Sequence, residues 1–232
     1  MEEAINDSDT KQDVSFIIGD IVAIKSHPLF RNHHKIIEFP AQTSPLMLVK
    51  EVFYEDEQKK KVYCEETGNQ ISGLSKCTCI YFNANKSEFI EVVIYSELLE
   101  KYDKLKYNKE NEANNSGTTL VEEVESYNDA DYKYGSVIQF KTKKLEHRKS
   151  YDNNNEKISN ISFQTPDFVL SGIKKEINKD LFYPNSKKEK RLVSDTLYKV
   201  MWFNHFQQKF SEQYLPKQFF VKELDFKKEN DK

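Results

Sequence analysis

An all-β chain built from one small unit used twice is what this sequence predicts, and three observations carry it. Cys79-Ile80-Tyr81-Phe82-Asn83 returns as Val200-Met201-Trp202-Phe203-Asn204. A displacement of 121 positions sets Tyr81 on Trp202, Phe82 on Phe203, Asn83 on Asn204, Phe89 on Phe210, Glu91 on Glu212 and Lys101 on Lys222 without a gap. The same displacement carries Pro45 to Pro166, Leu48 to Val169 and Val49 to Leu170. A displacement of 116 carries Gly19, Val22 and Lys25 to Gly135, Ile138 and Lys141, so one loop differs by five residues. Finally, the matched stretches are short, β-branched and aromatic, with Gly, Pro and Asn between them, as strands and turns require. Self-similarity at a fixed period sets an architecture before any single element does.

Taken in order, residues 16–25 alternate and read as a first strand, with Gly19 marking a bulge or a close backbone approach. Residues 27–42 form a long loop holding Pro28 and Pro40. Pro45 precedes a second strand over 46–54, and residues 55–75 are a charged loop. The third strand is 76–83, the turn 83–86, and the fourth strand 88–95. Ser96 then caps a short helical turn. Residues 103–131 hold too few large apolar side chains to offset chain entropy and read as a flexible acidic linker. The second copy follows, with strands over 134–142, 163–173, 193–203 and 209–215, polar loops over 143–162 and 174–191, and a closing segment over 217–224. Short twisted strands with long loops after the first and second describe an SH3-like barrel. The expected organisation is a disordered stretch 1–13, a first barrel 14–102, the linker 103–131, a second barrel 132–226 and a frayed tail 227–232.

Period-two alternation puts Cys77, Cys79 and Tyr81 on one face of the third strand and Thr78, Ile80 and Phe82 on the other. The second copy divides in the same way, into Tyr198, Val200 and Trp202 against Lys199, Met201 and Phe203. Phe82 and Phe203 are expected in the core, together with Val22 and Ile138 of the first strands.

The pattern Phe16-x-x-Gly19-Asp20-x-Val22-x-Ile24-Lys25-Ser26, then Pro45-x-Met47-x-Val49, then Cys79-x-Tyr81-Phe82, resembles the YodC-like family of small bacterial proteins. Those have a Gly-Asp-x-Val-x-Leu-Lys-Ser opening, a Pro-x-Met-x-Val strand and a Cys-x-Trp-Phe strand. Tyr81 departs from the family Trp. The second copy keeps it as Trp202 but has Val200 where the Cys would be. The resemblance implies a small barrel and a cytoplasmic setting, and it carries no activity or catalytic residue.

Three Cys, Cys64, Cys77 and Cys79, are too few for a disulfide framework and agree with a reducing compartment. No run approaches the roughly 18 consecutive apolar residues of a membrane span, so no membrane partner is expected. With His27, His33 and His34 the cysteines fail zinc spacing, since Cys77 and Cys79 flank one residue and no second pair follows. They read as small buried hydrophobes, without metal or other cofactor. No nucleophile elbow, phosphate loop, zinc-protease helix or dinucleotide fingerprint is present, and the recurring Glu91 and Glu212 read as solvated carboxylates beside lysines. An enzyme is not expected.

Binding remains. The net charge of −3 is divided as −6 over residues 1–102, −5 over 103–131 and +8 over 132–232. The first expectation is an adaptor, with tandem barrels engaging a protein or peptide through aromatic grooves or a sheet edge and gaining avidity from duplication. The alternative is a nucleic-acid binder using Lys143, Lys144 and Arg148 from one loop and Lys188 and Arg191 from another, with Trp202 or Tyr198 stacking on bases.

Overall fold

The computed structural model describes residues 16–31, 42–55, 75–102, 131–143, 147–152, 155–160, 165–184 and 187–221. The expected linker and both expected termini lie almost wholly outside them. The chain is all-β, with two antiparallel sheets of five or more strands and a separate two-stranded ribbon. The first sheet holds β1 (Ile21–Ile24), β2 (Met47–Tyr54), β3 (Ser75–Asn83), β4 (Glu88–Tyr95) and β5 (Leu99–Lys101) in the order β4-β3-β2-β1-β5. The second holds β6 (Val137–Phe140), β9 (Phe168–Lys175), β11 (Thr196–Asn204), β12 (Lys209–Pro216) and β13 (Phe220–Val221) in the order β12-β11-β9-β6-β13. The ribbon is β7 (His147–Asp152) with β8 (Asn155–Asn160), where the sequence predicted a polar loop. Among the described residues no pairing closes either sheet into a barrel.

Local geometry recurs at the sequence displacements. Gly19 and Gly135 both sit at positive φ, 86° and 83°, and there the chain turns before its first strand. The Gly19 N–H donates to the Val49 carbonyl and the Gly135 N–H to the Leu170 carbonyl, each at 2.8 Å. This turn is why the first strand begins at Ile21 rather than at residue 16. Lys50 and Ser171 are each the extra residue of a β-bulge, because the partner strand steps from Cys79 to Thr78 against Val49 and Glu51, and from Val200 to Lys199 against Leu170 and Gly172. A 3-10 turn joins the last two strands in both halves, Ser96–Leu98 and Lys217–Phe219.

Two apolar clusters form. One lies on the first sheet alone and contains Phe16, Val22, Met47, Val49, Val52, Cys77, Cys79 and Leu99. The other joins the halves. Ile21, Leu48, Ile80 and Phe82 from the opposite side of the first sheet pack with Ile138, Phe140, Phe168, Leu170, Tyr198, Val200, Trp202 and Phe220 from the second. Aromatic rings dominate the seam. Phe89 stacks on Phe168 at 5.5 Å between centroids and meets Trp202 edge-on at 5.5 Å, while Phe82 meets Trp202 at 6.2 Å and Phe168 at 6.1 Å. The Trp202 indole N–H donates to the Ser87 carbonyl at 2.9 Å, and the Asn204 amide donates to the same oxygen at 3.0 Å, so the β3–β4 turn is clasped by the second half.

A second join is a borrowed strand. β1 spans four residues and pairs with β2 only at Met47 and Leu48, leaving the far half of that β2 edge without a partner from its own half. β10 (Arg191–Val193), in a segment expected to be a charged loop running into a strand, fills it antiparallel with Arg191 opposite Phe53 and Val193 opposite Glu51. The Tyr54 N–H donates to the Lys190 carbonyl at 2.9 Å, and the Tyr183 hydroxyl donates to the Tyr54 carbonyl. Buried backbone polar groups need such partners.

Val22, Ile138 and Phe82 are buried, as expected. Phe203 corrects the expectation: it is 48% exposed, against 2% for Phe82. Both faces of β3 are covered, Cys77 and Cys79 by the first half's own cluster and Ile80 and Phe82 by the second half. β11 buries only the Tyr198, Val200 and Trp202 face. Equivalent positions therefore differ in burial because only the first sheet has the other half packed against its outer side.

The close approach can be measured. A Cβ on Gly19 would lie 2.8 Å from both Cβ and the carbonyl oxygen of Gln218, whereas a Cβ on Gly135 meets nothing within 4 Å. Gly135→Ala is expected to cost about 1–2 kcal/mol, from the left-handed backbone alone. Gly19→Ala should cost clearly more, because a backbone oxygen of the second half must also move. Urea unfolding of the two variants compares them, and equal losses would argue against the contact.

Candidate binding face

The residues expected to bind nucleic acid are dispersed or already engaged. Lys143 forms an ion pair with Asp167 at 2.5 Å, and Gln139 donates to the same carboxylate at 2.9 Å. Burial pushes the Asp167 carboxyl up, but the hydrogen bonds from Lys143 and Gln139 outweigh it and hold the group below its usual range. Arg191 reaches Glu51 at 2.6 Å, stitching β10 to β2. Lys188 is exposed. Lys144 lies outside the described residues, and Arg148 is placed on β7 by its backbone alone. The stacking role for Trp202 and Tyr198 is corrected by burial: they are 6% and 1% exposed, within the shared cluster. Their rings face the first sheet and their own interior, and the Tyr198 hydroxyl accepts from the Tyr132 N–H at 3.2 Å.

The cysteines and glutamates also take structural places. Burial pushes the Cys77 thiol up to about 12, with Asp20 adding to it, and burial raises Cys79 further. Thiols held protonated in this way are neither nucleophiles nor ready ligands. Glu91 pairs with Lys50 at 2.5 Å and Glu212 pairs with Lys199. Cys64, His33 and His34 lie outside the described residues, and among those described no three His, Cys, Asp or Glu side chains converge as a metal site needs. No described helix is long and apolar enough to cross a membrane.

One surface stands out by chemistry. The strands β9, β11 and β12 turn alternate side chains away from the shared cluster, and these are unusually apolar. Phe203 lies opposite Phe210, a cross-strand pair 5.5 Å apart and edge-on, with Phe210 70% exposed. Met201, half-buried, lies between this pair and Val169, its partner on β9. Val137 on β6 continues the row opposite Val169, and Tyr214 stands further along β12. Phe203, Phe210, Val169, Val137 and Tyr214 are all exposed. Scattered exposed apolar residues are ordinary, whereas a contiguous row on one sheet face makes this surface the candidate for an interaction.

Charges of both signs frame the row. Lys199 is held above its usual range by Glu212, and Glu212 is held below its own by Lys199 and then Ser171. Lys174 is raised by Glu176, 2.8 Å away. These are ordinary surface pairs, worth little to stability, and they leave the face close to neutral.

The first half shows what such a face does. At the two sequence displacements, Val137, Val169, Met201, Phe203 and Phe210 correspond to Ile21, Leu48, Ile80, Phe82 and Phe89. Those five are the residues that the second half packs upon. Leu48 is 0% exposed and its counterpart Val169 43%. The sequence displacements pair these residues but carry no signal for which of the two faces is left uncovered. The chain matches no protein-family profile, no curated protein and no solved structure.

Proposed function

We propose that this chain is a non-catalytic protein-binding molecule: two copies of one SH3-like unit, the first docked against the second, with the second presenting its outer sheet face to a protein partner. One observation carries this. The same five positions pack into the shared cluster in the first half, and in the second they form an apolar row in which Val137, Val169, Phe203 and Phe210 are exposed and Met201 is half-buried. A face that has already served as a docking surface within the chain has the shape and chemistry to serve again. Aromatic and Met side chains on a flat, near-neutral surface are the composition of an interface centre.

A YodC-like origin for the unit agrees with this, since that resemblance carries no catalytic residue. The nucleic-acid alternative loses its stacking aromatics to burial and two of its five cations to ion pairs.

A photo-crosslinking aromatic amino acid at position 210 of the full chain tests the proposal in the native host. Covalent protein adducts are expected from position 210 and are expected to disappear with Phe203→Glu. Equal adduct formation from position 25, at an exposed turn of the first half, would mean that the face is not a specific docking surface.

A further inference from the structure

Resting on that reading of the face, we propose that its partner is a second copy of this chain, docked face to face about a two-fold axis. Two features select this occupant. The first is charge. Each face carries Lys199 beside Glu212 and Lys174 beside Glu176, equal numbers of each sign alongside one aromatic row. A partner of uniformly acidic or basic surface would meet a like charge whichever way it docked. A copy rotated by a two-fold presents Glu212 to Lys199 and Lys199 to Glu212, as a self-complementary interface requires.

The second feature excludes the other way of joining copies. Within the chain, the first half's outer face is met by Trp202, Phe168 and Phe140. The first-half counterparts of those residues are Tyr81, Met47 and Ile24. Met47 is buried in the first half's own cluster, Tyr81 and Ile24 are half-buried against it, and Leu192 of β10 packs there too. Among the described residues a second copy therefore has no open counterpart of that aromatic end to place on Phe203 and Phe210, so copies do not add head to tail. Face-to-face closure remains, with Phe203 and Phe210 of each copy packing across the axis.

The test uses the purified full chain in sedimentation velocity across a concentration series. The expected species has twice the chain mass of 27.4 kDa, and Phe203→Glu with Phe210→Glu should be monomeric with an unchanged far-UV spectrum. Lys199→Glu alone and Glu212→Lys alone should each weaken the dimer by about tenfold or more through like-charge apposition. Mixing those two variants should restore dimers, because each interface contact is then of opposite sign. A role confined to the fold of one chain would not respond to mixing. A wild-type chain that stays monomeric at every concentration, or a failure of mixing to restore the dimer, overturns the inference. The crosslinker at position 210 separates the levels. A chain-to-chain adduct supports the dimer, an adduct with only a different protein overturns the dimer and leaves the docking face standing, and no adduct at all overturns both.

Discussion

Trp202→Ala is expected to destabilise the chain by about 3–5 kcal/mol, the range for truncating a large aromatic in a packed core. The indole fills the seam between Phe82, Phe89 and Phe168, and its N–H satisfies the Ser87 carbonyl. The loss should be felt in the first half, although the residue belongs to the second. Alkylation of Cys77 and Cys79 in urea reports opening of the first half, because both thiols are buried in that half's own cluster. In a Cys64→Ser background, Trp202→Ala should shift the alkylation midpoint and the far-UV midpoint downward together. An alkylation midpoint that stays at the wild-type value while the far-UV midpoint falls would show that the halves are energetically independent, against the shared cluster.

Phe82→Ala and Phe203→Ala should differ sharply despite occupying matched positions. Phe82 touches Phe89, Phe168 and Trp202 and is expected to cost about 3–5 kcal/mol. Phe203 touches Phe210 on an open face, and its truncation should cost less than about 1 kcal/mol when measured at concentrations low enough to keep the chain monomeric. Denaturant unfolding of both variants decides it. Comparable losses would place Phe203 in a core and remove the basis for a docking face.

Much of this fold was legible because a repeat doubles every local signal. Gly19 and Gly135 mark the same turn, and the strands around Phe82 and Phe203 run over the same nine positions. The identity of the buried face was not legible. β3 carries apolar side chains on both faces, Cys77 and Cys79 on one and Ile80 and Phe82 on the other, so alternation alone admits either as the core. The answer depends on what covers each face, which is tertiary. β10 was hidden for a related reason: three residues in a lysine-rich stretch carry almost no strand signal, and their pairing is set by the vacant edge of β2. The β7–β8 ribbon was masked by its polar composition, although two residues between two six-residue strands are the spacing of a tight hairpin. The candidate face was legible only as matched residues, since exposure depends on what packs against each sheet, which the strand's own residues do not encode.

The strand lent by β10 has a consequence for the order of synthesis. Residues 16–102 leave the ribosome before residues 191–193 exist, and at about 5–20 residues per second the wait lasts several seconds. Throughout that interval the far edge of β2 lacks its partner, and Ile80 and Phe82 face water rather than Trp202. An unpaired edge beside an apolar sheet face is the surface on which nascent chains of neighbouring ribosomes pair wrongly. The newly made first half is thus at its most vulnerable while the second is still being translated, and it is there that a holding chaperone would act.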